Sequence, residues 1–139
     1  LCAELARLAD GLVVGDGLAP GSELGPLQNH RQLAIVEELA DDARQKGARF
    51  LCGGRRLDRP GYFYAPTVIA DASEAMRVVA EEQFGPLVPV LRYRDVDDAI
   101  ARANMSDSGL GGSVWSADAA RATALAQRLE CGTAWVNAH

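Results

Sequence analysis

Cysteine is scarce in this chain: Cys2, Cys52 and Cys131 are odd in number and widely spaced, with no CxxC pair and no histidine cluster nearby. That pattern excludes a disulfide framework and a zinc site. Positive charge is also short, with 14 Lys and Arg against 19 Asp and Glu for a formal net charge of -5. The basic residues stand singly or in short pairs such as Arg55-Arg56, so there is no stripe for a phosphate backbone and nucleic acid is not an expected partner. Apolar runs such as Leu87 to Leu91 are far too short to cross a bilayer, and the opening LCAELARLAD has no signal-peptide plan. The acidic group Asp95, Asp97 and Asp98 lacks the oxygen-rich loop of a calcium site. No repeat and no low-complexity segment is found. A cytoplasmic protein without metal or membrane association is the expectation.

What is present is core-forming: 48% of the residues are hydrophobic and 24% charged, enough for one domain with a real interior. Leu1, Leu5, Leu8 and Leu12 share one face of a first helix, which opens without an N-cap. The glycines and prolines of VVGDGLAPGSELGP forbid regular structure and mark a long loop. A second helix is predicted from about Gln28 to near Lys46, with Leu33, Val36, Ala40 and Ala43 on its apolar stripe and Gly47 after its end. Strands are predicted at Arg49 to Cys52 and Pro66 to Ala70, with Asp71 capping one helical turn through Met76.

Further on, Asp95 caps a helix whose inner side is Val96, Ala99, Ile100 and Ala103. Leu110 to Trp115 reads as a strand in which Gly111 and Gly112 imply close approach by a neighbour, and Trp115 and Trp135 as core. Asp118 caps a last helix ending at Gly132, and Thr133 to Asn137 is a final strand. Strands separated by helices predict a layered α/β architecture, a mostly parallel sheet with flanking helices.

The most informative stretch is EEQFGPLVPV, residues 81–90. Gly85-Pro86 forces a bend just before Leu87, Val88, Val90 and Leu91, which are expected to enter the core. In an extended segment side chains alternate, so Glu82 and Phe84 project to one side and Glu81 to the other. A carboxylate can accept hydrogen bonds from two vicinal hydroxyls while an aromatic packs beside an attached ring, which suits a ribose carrying a flat base. On composition alone, a solvated Glu pair with Phe84 in the core is the simpler reading.

Taken in order, VGDGLAPGSELGPL, the GG after Cys52, GYFYAPTVI, EEQFGPLVPVLRY, DVDDAIARAN, GLGGSVWS and LECGTAWVN make the chain resemble the aldehyde dehydrogenase superfamily over essentially its full length. The resemblance implies a C-terminal part of the catalytic domain (residues 1–139), lacking the upstream cofactor-binding part and the nucleophile motif. In that family a cysteine thiolate attacks the aldehyde, hydride passes to NAD or NADP, and a glutamate activates water to hydrolyse the thioester. By motif match, Glu82 resembles the family's acceptor for the nicotinamide ribose hydroxyls and Phe84 the aromatic near the nicotinamide ring. Gln83 stands where the family more often has an aliphatic residue. Asn137 and His139 begin a segment that resembles the approach to the substrate mouth.

No catalytic residue is assigned within the chain. Cys2 does not have the flanks of the family's nucleophile, and Cys52 and Cys131 read as small hydrophobes. The expected partners are an aldehyde substrate in the parent enzyme and further copies of the chain in a homo-oligomer. The rival reading is a non-catalytic α/β interaction module using unpaired faces and strand edges.

Overall fold

Helix α2 (His30–Gln45) has more buried residues than any other helix, and the first part of the fold is built on it. In the structure, a computed structural model describing residues 1–139, Leu33, Val36, Leu39, Ala40 and Ala43 of this helix are buried. They cluster with Tyr64, Ile69, Met76, Val78 and Leu87. Asn29 caps the helix, its side chain accepting from the Gln32 N–H at 2.9 Å. Helix α1 (Cys2–Gly11) has no buried residue, and Leu8 and Leu12 remain exposed. The long glycine-rich loop follows, closed on itself where Val14 bridges Leu24.

Strands β1 (Arg49–Cys52), β2 (Thr67–Ala70) and β3 (Leu87–Pro89) form one sheet in that order. Every residue of β2 is buried, as expected of a central strand. Pairing of β2 with β3 is parallel, but β1 and β2 are antiparallel. The helix-crossover rule does not apply to that second pair, because residues 53–66 contain no helix. Strand β3 is an edge: Leu87 is buried, whereas Val88, expected in the core, is half exposed.

The predicted turn after Asp71 is displaced. Asp71 adopts a left-handed φ of 58° and pairs with Arg49 and Arg92 instead of capping. Helix α3 (Arg77–Ala80) starts later, and the carboxylate accepting from the Arg77 N–H at 2.9 Å is Asp42, reaching across from α2. These elements belong to one compact unit, Leu1–Arg92.

The second unit is Tyr93–His139. Helix α4 (Val96–Asn104) and helix α5 (Ala119–Ala126) are capped by Asp95 and Asp118, each accepting a backbone N–H at 2.9 Å. The parallel strands β4 (Gly111–Val114) and β5 (Thr133–Val136) lie side by side. A Cβ on Gly111 would stand 2.5 Å from the Trp135 ring, which accounts for glycine there. Trp135 thus packs against β4 but is only half-buried, so the core reading holds for it in part. It fails for Trp115, which lies beyond β4 and is 65% exposed. Helix α5 also ends earlier than predicted, at Ala126, with Ala122 and Ala126 its buried residues. No helix in the chain is long and apolar enough to cross a membrane.

Candidate functional site

The segment from Glu81 to Pro86 leaves the single turn of α3 and enters β3, and its course is fixed at several points. At its start, Arg77 donates from Nε to the Glu81 carboxylate at 2.6 Å, and this bond holds Glu81 below the usual carboxylate range. Glu81 is thereby committed to its own helix. Gln83 is half-buried, and its Nε2 donates to the Val78 carbonyl at 2.6 Å. The Gln83 carbonyl in turn accepts from Nε2 of Gln32 on α2 at 2.7 Å. At the far end, the Pro86 carbonyl accepts from the Thr67 N–H at 2.9 Å, joining the segment to β2.

Between these tethers Glu82 and Phe84 both lie at the surface, Phe84 with 71% of its area exposed. The reading of Phe84 as core is thus overturned. Exposure alternates over Glu82, Gln83 and Phe84 as in an extended chain, but Phe84 itself has a φ of 45°. Its direction is set by that left-handed residue, so simple alternation is not the cause. A bulky side chain in this region is a genuine outlier, costing about 1 to 3 kcal/mol. Gly85 follows because a Cβ there would be driven into Cγ2 of Val36.

A recess of about 240 Å³ beside the bend is lined by Leu24, Leu27, Tyr64 and Pro86 among others, and its lining includes neither Glu82 nor Phe84. Burial pushes the Tyr64 phenol up, opposed by the neighbouring Arg44.

The cysteines are free and half-buried. Cys52 donates from Sγ to the Pro66 carbonyl at 3.6 Å and Cys131 to that of Thr133 at 3.3 Å. In the second unit, Asn137 clamps Ser116, accepting from its N–H and donating to its carbonyl, both at 2.9 Å. His139 rests against the Trp135 ring with centroids 5.1 Å apart. His30 is exposed at the first position of α2, edge-on to Tyr62. No group of three His, Cys, Asp or Glu side chains is placed to hold a metal ion.

Gln32 was not singled out from the sequence. It sits in the polar first turn of α2, where nothing in the local pattern separates it from a solvated residue, and its role depends on a partner 51 residues away.

Residues 1–139 match the aldehyde dehydrogenase family throughout, and the chain belongs to that family. Over 137 residues it is 42% identical to a betaine aldehyde dehydrogenase of Cereibacter sphaeroides, covering 99% of this chain and 28% of that protein. It is likewise 42% identical over 133 residues to a succinate-semialdehyde dehydrogenase (NADP+) of Deinococcus radiodurans, covering 96% and 28%. Among solved structures, the NAD+ complex of an aldehyde dehydrogenase from Bacillus cereus superposes with a TM-score of 0.92 at 34% identity, over 98% of this chain and 28% of that one. The chain thus spans 28% of the length of these relatives.

Proposed function

We propose that this chain supplies part of the catalytic domain of an NAD(P)-dependent aldehyde dehydrogenase, which oxidises an aldehyde to a carboxylic acid. Within it, Glu82 and Phe84 contact the nicotinamide ribose end of NAD or NADP. One observation carries the reading: an exposed carboxylate and a 71% exposed ring, two residues apart, on a segment tied down on both sides. An ionised carboxylate only accepts, and its two oxygens match the two donors of a vicinal diol. The Phe84 ring offers an apolar edge to a flat heterocycle. When bound, the nicotinamide accepts hydride. The work of this chain is to orient the ribose through Glu82 and to restrict the ring through Phe84. The nucleophilic thiol and the general base are assigned to polypeptide outside residues 1–139.

The relatives' names, betaine aldehyde and succinate-semialdehyde dehydrogenase, support a small polar aldehyde as substrate. A cytoplasmic homo-oligomer completes the proposal, supported by three free cysteines and by the exposed edge of β3. The test is kinetic. The gene product containing these residues is assayed for aldehyde-dependent reduction of both cofactors, with Glu82→Gln beside it. Loss of the charge is expected to raise KM for the cofactor about tenfold, the equivalent of ~1.4 kcal/mol of charge-assisted hydrogen bonding. An unchanged KM for both cofactors would remove Glu82 from the site.

A further inference from the structure

We propose that Gln83 is a positioning residue that holds Glu82 and Phe84 in their outward presentation, an inference that rests on the reading of those two as cofactor contacts. Helix α3 is a single turn, and its last carbonyls have no partner from a following turn. The Arg77 carbonyl accepts from the Glu81 N–H at 2.8 Å. The next, Val78 O, accepts from Gln83 Nε2. The side chain of Gln83 thus closes the helix end while its backbone is already inside the loop, and Gln32 grips the carbonyl of the same residue.

Two amide hydrogen bonds, one through each end of Gln83, fix the peptide immediately before Phe84. Phe84 is left-handed with an exposed ring, so the ring has few contacts of its own to maintain a disfavoured backbone. The restraint has to come from the neighbours, and Gln83 on one side and Gly85 packed on Val36 on the other provide it. An aliphatic residue at 83 could fill the same half-buried space but would leave Val78 O without this donor. Gln83 faces α3, so it acts through Glu82 and Phe84.

Two variants separate the donor from its volume. Gln83→Met keeps the length and removes the donor; Gln83→Lys keeps a donor at similar reach. Amide hydrogen exchange of residues 82–85 is measured in the cofactor-free gene product, and KM for NAD and NADP together with kcat in the same preparations. Exchange is expected to accelerate in Gln83→Met and to return toward wild type in Gln83→Lys. KM should rise threefold to tenfold in the former, roughly the effect of one neutral hydrogen bond, with kcat little changed. Unaltered exchange in Gln83→Met overturns the positioning role whatever the kinetics. Faster exchange with unaltered KM upholds the clamp and overturns the assignment of Glu82 and Phe84 to the cofactor. Should Gln83→Met fail to fold, Gln32→Met removes the other tether and is read by the same two measurements.

Discussion

Gly85 is packed against the side chain of Val36 with no space for a Cβ between them. Val36 is fully buried in the α2 cluster and, being β-branched, has little rotamer freedom with which to retreat. Gly85→Ala is therefore expected to destabilise the protein by about 1 to 3 kcal/mol, the usual penalty for overpacking. Urea unfolding measures it. The double variant Val36→Ala/Gly85→Ala should cost less than the sum of the two single changes, because the smaller side chain admits the new methyl. Strict additivity would show that the two positions do not touch.

Asp42 makes the first unit sensitive to acid. The Lys46 ammonium at 2.8 Å, and after it the Arg77 N–H, hold its carboxyl below the ordinary aspartate value of 3.8. A group depressed on folding contributes stability that is present above its unfolded pKa and is lost as pH falls through the folded value. The contribution of Asp42 is thus full at neutral pH and fades from about pH 3.8 downward. Asp71 and Glu81 shift in the same direction, so the wild-type acid limb is a sum. Asp42→Asn should be less stable than wild type at neutral pH and should approach it below pH 3.8. Parallel stability curves over the whole acid range would discard this role.

Local chemistry was legible in the sequence and long-range contacts were not. Asp95 and Asp118 cap their helices as expected, since an N-cap depends only on residues three positions apart. The glycine at 111 announced a close neighbour, and the Trp135 ring is there. Asp71 looks equally like a cap, yet Arg49 and Arg92 draw it away, and only the folded sheet brings those cations to it. The parallel pairing expected of strands separated by helices holds for β2 with β3 and for β4 with β5, whereas β1, joined to β2 without a helix, pairs with it antiparallel. Glu82 and Phe84 were marked by the bend at Gly85-Pro86 and by family resemblance. The clamp on Gln83 joins α2, α3 and the loop, and no spacing in the sequence reveals it.

Thr67 is the buried polar residue of the first unit, 1% exposed in the central strand. Its hydroxyl donates to the Ala65 carbonyl and accepts from the Gly54 N–H, both at 2.7 Å. Thr67→Val keeps the shape and removes both bonds. The Gly54 N–H and the Ala65 carbonyl then lose their hydroxyl partner inside the protein, at an expected cost of about 1 to 3 kcal/mol. Thr67→Ser keeps the hydroxyl and loses only a methyl, and should cost about 1 kcal/mol or less. Chemical denaturation ranks the two; a valine variant as stable as the serine variant would contradict the account.

Residues 1–139 alone are expected to show no aldehyde-dependent reduction of NAD or NADP. Oxidation through a thioester needs an accessible thiolate and a base in reach of the attacking water. Cys52 and Cys131 each donate to a backbone carbonyl, and Cys2 is half-buried in the first turn of α1. Glu82, the carboxylate at the candidate site, is assigned to the ribose. Cofactor affinity should also be weak, because Glu82 and Phe84 would grip one end of a dinucleotide whose phosphates find no glycine-rich fingerprint in this sequence. Nicotinamide absorbance with the purified 139-residue chain tests the first expectation and calorimetry the second. Turnover that disappears in Cys2→Ser would place the nucleophile inside this chain, and micromolar cofactor binding would show that the two contacts suffice without the rest of a dinucleotide site.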